Sequence, residues 1–182
     1  MAMILDVTAG NRHIWRGWMP ETVDRDDVIV FCDVETRLRI PPDIICDNTK
    51  LPFRHEIADS VIYDPPHWDR GGSWIMDPQE KRGAWWGSFK NKADVVRSVS
   101  NAARESRRVL KTDGKLYFKW ADCTSRHRPW KSIDRITILI KWAFNEIDRI
   151  VQSSKAGSHT NKTYWITFRK RSTETVSSSQ DT

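Results

Sequence analysis

Two consecutive prolines, Pro65 and Pro66, follow directly on the apolar run from Ser60 to Tyr63 and its closing Asp64. A buried parallel strand cannot continue through residues that lack a backbone donor, so the chain must leave the sheet here at a fixed angle. Asp64 is thereby held at a strand tip. The rigid turn leaves carbonyl oxygens with no sheet or helix partner, free to accept hydrogen bonds from a ligand amine. His67 and Trp68 follow with flat faces on which a heterocyclic base can stack.

Three earlier runs are also short, apolar and without alternation: Met3 to Val7, Val28 to Cys32 and Ile44 to Cys46. That pattern fits parallel strands buried on both faces. Each run, like that before Asp64, ends at or beside an aspartate: Asp6, Asp33 and Asp47. Downstream, Ala93, Val96, Val99, Ala102, Ala103, Val109 and Leu110 recur at spacings of three and four, predicting a helix over 91–110. A turn at Thr112, Asp113 and Gly114 precedes a strand from Lys115 to Trp120, a helix from Ser132 to Phe144, and strands over 147–151 and 164–168 joined by a polar loop around 155–162. The expectation is an α/β chain: a three-layer, Rossmann-like sheet, mostly parallel, ending in an antiparallel hairpin, with ligands at the carboxyl ends of its strands. Residues 1–170 are expected to form one domain and the Ser/Thr-rich 171–182 a disordered tail.

Charge and tryptophan are unevenly spread. Residues 1–69 hold 7 Lys+Arg against 13 Asp+Glu, whereas the whole chain carries +6, so residues 70–182 carry +12. An acidic first part and a basic second part make the latter a footprint for a polyanion. Of the ten tryptophans, Trp74, Trp85 and Trp86 share the segment 69–90 with Arg70, Lys81, Arg82 and several glycines. Basic side chains position a phosphate backbone while aromatics take the stack. A second basic-aromatic cluster, Arg126 to Lys131 with Arg128 and Trp130 inside it, should emerge at the same sheet edge. Trp120, Trp142 and Trp165 are expected in the core, and Trp15 and Trp18 near the first strand turn.

Other classes are disfavoured. No apolar run is long enough to span a membrane or act as a secretory signal, which makes a cytoplasmic location the expectation. Cys32, Cys46 and Cys123 form no CxxC pair, and the five histidines show no metal spacing, so neither a disulfide framework nor a metal site is expected. The segment 6–16 has no GxGxxG, against a nicotinamide-dependent oxidoreductase.

The tetrad Asp64-Pro65-Pro66-His67 resembles the Asp/Asn-Pro-Pro-aromatic signature of class I S-adenosylmethionine-dependent methyltransferases that modify exocyclic amines, with His67 in the aromatic position. The order strand–Gly10, strand–Asp33, strand–Asp47, strand–Asp64 is similar to that family's as well. The resemblance implies S-adenosylmethionine as cofactor, held by Asp6, Thr8, Ala9, Gly10 and Asn11 in the first turn, by Asp33 at the ribose and by Asp47 and Asn48 at the adenine. It implies catalysis by Asp64, Pro65, Pro66 and His67, with Trp68, Arg70, Trp74, Lys81, Arg82, Trp85, Trp86, Arg126 and Arg128 contacting substrate. Within the family the chain is most similar to compact phage and bacterial DNA adenine-N6 methylases, so DNA is the expected partner, and a small RNA methyltransferase of adenine N6 or guanine N2 is the alternative. Two departures stand out: Gly10 is the first turn's single glycine, and the first strand begins at Met3, where the family usually has a preceding helix. Cofactor affinity is therefore expected to lean on the substrate loop or a partner. Sequence specificity is expected to be short or supplied by a protein partner or homodimer. The thin glycine motif also leaves open a catalytically silent subunit that keeps the fold to support another methyltransferase.

Overall fold

A computed structural model describes residues 1–17, 23–24, 26–67, 75–76, 85–86, 89–122, 132–156 and 159–172. The four runs that end in aspartates become β1 (Met3–Asp6), β2 (Val28–Asp33), β3 (Ile44–Ile45) and β4 (Ala58–Tyr63). With β7 (Leu110–Asp122), β8 (Phe144–Ala156) and β9 (His159–Lys170) they form one seven-stranded sheet of order β3-β2-β1-β4-β7-β9-β8. The first five of these are parallel, and β9 runs antiparallel to both β7 and β8. A separate two-stranded ladder joins β5 (Ile75–Met76) to β6 (Trp85–Trp86).

Strand alternation sorts the side chains onto two faces. Leu5, Val61, Leu116, Phe118 and Trp120 face one cluster, which is roofed by α2 (Lys92–Val109) and α3 (Ile133–Lys141). Ile4, Ile62, Tyr117 and Trp165 face the other, packed by Ile14 and Trp15 of the single-turn α1 (Ile14–Gly17). Among the described residues the second helical layer is thus much thinner than the first. The long α2 starts where Asn91 accepts the Asp94 amide hydrogen at 3.0 Å, has Asp94 in its first turn, and ends with Arg107 and Arg108 in the last. Each charge lies at the end of the helix dipole that favours it.

Three expectations are corrected. The turn at Thr112 to Gly114 does not separate helix from strand: β7 begins at Leu110, and the turn is a bulge between the pairs Ala58–Leu110 and Ser60–Lys115. Asp113 adopts φ 63° there, and a Cβ on Gly114 would lie 2.9 Å from the Lys111 carbonyl, so the bulge needs glycine. The polar loop around 155–162 is mostly strand, because β8 and β9 stay paired as far as Ala156 and His159. Polar composition misled there, since an edge hairpin extending past the core has nothing apolar to bury. Finally, Trp142 is not in the core. The helix ends at Lys141, Ala143 and Phe144 take the inward positions, and the indole is 52% exposed.

Candidate active site at the strand tips

The tips of β1, β2 and β4 are tied together through the turn after β1. Its Val7 amide donates to the Ile62 carbonyl and its Ala9 amide to the Cys32 carbonyl, both at 3.0 Å. The Thr8 hydroxyl accepts the Asp64 amide hydrogen at 2.6 Å, and the Gly10 amide donates to Asp33 Oδ2 at 2.8 Å. Gly10 has φ +49°, and a Cβ built on it meets no atom of the described residues within 4 Å. The backbone conformation therefore favours glycine, and among the described residues the space in front of it is open.

Aspartates stand at or just beyond the ends of all four strands β1 to β4. Asp6 is fully buried and accepts the Trp15 indole N–H at 2.7 Å and the Thr8 amide at 3.2 Å. Burial pushes its pKa up to about 7; those two hydrogen bonds oppose the rise, and the charges of Asp64 and Asp33 add to it. Asp33 accepts amide hydrogens from Gly10 and Glu35 and is also raised, chiefly by burial. A carboxylate has about four lone-pair sites, so the Gly10, Glu35 and Val34 amides leave room for a ligand hydroxyl. Asp47 closes an Asx turn on the Thr49 amide and hydroxyl, both at 2.8 Å. Asn48 next to it is partly buried.

Asp64 is gripped from both faces of the sheet. Lys119 Nζ donates to its Oδ2 at 2.7 Å, and His67 Nε2 lies 3.3 Å from its Oδ1. Lys119 also sits 5.5 Å from the centroid of the Trp165 ring, on the thin face, while His67 meets Trp120 edge-on at 5.3 Å. Burial pushes the Asp64 carboxyl up, but the hydrogen bond from His67 and the charge of Lys119 outweigh it and hold the group below its ordinary range.

Asn11 is buried, and its Oδ1 accepts from the Arg39 and Ile40 amides, which makes it a staple for the loop after β2. Trp85 and Trp86 lie on the β6 ladder. Trp18, Trp68, Arg70, Trp74, Lys81, Arg82, Arg126, Arg128, Trp130 and residues 173–182 fall outside the described residues. Lys119 escaped sequence reasoning because a lysine alternating with apolar residues on a strand reads as solvent-facing. Its place beside Asp64 is set by the β4–β7 register, which its own segment does not signal.

The sheet order, with one antiparallel strand inserted before the last, can be matched against solved structures. A S-adenosylmethionine-dependent methyltransferase from Methanosarcina mazei superposes with a TM-score of 0.59 at 12% identity, over 93% of this chain and 92% of that one. The N-methyltransferase NodS from Bradyrhizobium japonicum, crystallised with S-adenosyl-L-homocysteine, gives 0.56 at 11% identity, over 94% and 79%. The fold is that of S-adenosylmethionine-dependent methyltransferases. A variant of the 16S rRNA (adenine(1408)-N(1))-methyltransferase from Catenulisporales acidiphilia shares this methyltransferase fold, with a TM-score of 0.51 at 14% identity over 95% and 87%. No family model matches the sequence, and neither does any curated protein sequence.

Proposed function

We propose that the protein is a S-adenosylmethionine-dependent methyltransferase acting on an exocyclic amine of a nucleic-acid base, adenine N6 in DNA. The observation that carries this reading is the hydrogen bond between Thr8 and the Asp64 amide. It joins the turn that would hold the cofactor to the acceptor that would hold the amine. The methyltransferase fold supports the cofactor, and the residues present fit it: open space before Gly10, and Asp33 with acceptor capacity to spare beside it. When bound, S-adenosylmethionine supplies an electrophilic methyl group.

The chain's own residues orient the amine. An exocyclic amine is a weak nucleophile because its lone pair is delocalised into the ring. Asp64 and the Pro65 carbonyl accept its two hydrogens, which turns the lone pair toward the methyl donor. No strong base is needed before attack, since a proton leaves readily once the nitrogen is cationic. His67 and Trp68 flank the base, and the basic, tryptophan-bearing segment 69–90 contacts the strand from which it is extruded. An RNA substrate is the second reading, favoured by the structural likeness to an rRNA adenine methyltransferase.

Methyl transfer from labelled S-adenosylmethionine to duplex DNA, single-stranded DNA and structured RNA tests both readings, with nucleoside mass spectrometry naming the product. N6-methyladenine in DNA is expected. Label confined to RNA moves the conclusion to the second reading, and no label in any nucleic acid removes both.

A further inference from the structure

Asp64 is an acceptor, and the group nearest to it is a donor. The pairing of Tyr63 with Phe118 makes Asp64 and Lys119 the next residues along β4 and β7. Strand geometry, rather than a flexible loop, thus holds the carboxylate and the ammonium side by side at 2.7 Å. Both side chains are mostly buried yet reach the surface, at 12% and 22% exposure. An ammonium carries three hydrogens. One goes to Asp64, and the Trp165 ring limits where the others point.

An acceptor beside a donor is the complement of a particular kind of base edge. In adenine and in cytosine the exocyclic amine stands next to an unprotonated ring nitrogen on the Watson–Crick edge, a donor beside an acceptor. In guanine the amine stands on that edge beside a ring N–H, a donor beside a donor, and its other neighbouring ring nitrogen lies toward the sugar. We infer that Lys119 and Asp64 together read the edge of the target base, Lys119 donating to the ring nitrogen beside the amine that Asp64 accepts. This admits adenine and cytosine and rejects guanine, because guanine would set its ring N–H against the ammonium. Sites built to hydrogen-bond a group discriminate strongly against analogues that lack it. The inference rests on the amine reading above and adds to it the residue that chooses the class of base.

The test compares adenine with 1-deazaadenine, in which the ring nitrogen beside the amine is a C–H, at one position of the same oligonucleotide. The amine of 1-deazaadenine is no weaker a nucleophile, so a loss reports recognition. For the unaltered protein the transfer rate should fall about 10- to 100-fold, the range expected for a hydrogen bond to a charged group. Lys119→Met should be slower on adenine and should treat the two bases alike, while calorimetry shows S-adenosylmethionine binding retained. Equal rates on adenine and 1-deazaadenine for the unaltered protein overturn the role of Lys119 and leave the amine reading standing, as does a Lys119→Met protein that keeps the discrimination. Transfer to no base at all overturns the amine reading and this inference with it. The arm with unaltered protein decides the matter even if Lys119→Met does not fold.

Discussion

The Thr8 hydroxyl accepts the Asp64 amide hydrogen at 2.6 Å, so the turn closing β1 and the turn closing β4 move as one. Thr8→Val keeps the side chain's shape and strands that amide. Unfolding by denaturant should show a loss of about 1–3 kcal/mol, the cost of an unsatisfied buried donor. Methyl transfer should fall at least tenfold, and Thr8→Ser should restore both. A Val variant of unchanged stability and rate would show that the bond positions nothing.

Asp64 can be separated into acceptor and charge. Asp64→Asn keeps an acceptor and a near-identical shape, whereas Asp64→Ala removes both and leaves Lys119 with its ammonium partly buried beside no carboxylate. Breaking a buried pair from one side costs roughly 3–5 kcal/mol, less here because both groups reach solvent. Asp64→Ala should lose methyl transfer and Asp64→Asn, which keeps the acceptor, should retain part of it, while calorimetric affinity for S-adenosylmethionine stays within a few-fold in both. Melting should separate them, with the alanine variant lower. Retained transfer in the alanine variant would take Asp64 out of the mechanism, and complete loss in the asparagine variant would show that the charge, not the acceptor, matters.

Asp6 gives a pH dependence of known sign. Burial raises its folded pKa from the ordinary carboxylate value of 3.8 to about 7. Between those values the folded state holds a proton that the unfolded state has released, so stability falls as pH rises through this window and levels off above about 7. The full span corresponds to roughly 4 kcal/mol. Asp64, lowered, contributes in the opposite sense and only at acid pH, below the ordinary carboxylate pKa. Melting temperatures of the unaltered protein relative to Asp6→Asn should therefore decline from pH 4 to pH 7, on top of a constant offset. A flat difference would mean that Asp6 titrates normally.

Gly10→Ala distinguishes fold from ligand. The left-handed φ costs an alanine about 1–2 kcal/mol, and the added methyl meets no atom of the described residues within 4 Å. Stability should drop by only that amount, but the methyl projects into the space expected to receive the cofactor, so affinity for S-adenosylmethionine should fall more than tenfold. Unchanged affinity would place the cofactor elsewhere.

The strand tips were legible because burial on both faces writes an uninterrupted apolar run, and the aspartate that ends each run is the point where the chain leaves the sheet. Asp33 and Asp64 could thus be found by position alone. Lys119 could not, because its meaning depends on the β4–β7 register, which no local pattern carries. Asn11 reads as a ligand in a turn beside Gly10, yet its oxygen holds the amides of Arg39 and Ile40, residues distant in sequence. The exposed Trp142 illustrates the same limit. Helical periodicity finds the face of α3 but not the residue at which the helix stops.

The grip on Asp64 from two sides has an entropic consequence. Lys119 is backed by Trp165 and His67 by Trp120, both buried tryptophans on opposite faces of one sheet. A carboxylate fixed in this way has already given up its rotameric freedom during folding, where the core absorbs the cost. In the proposed reaction an incoming amine would meet an acceptor that need not search for its orientation, and two tryptophans with no contact to the substrate would share in that preorganisation.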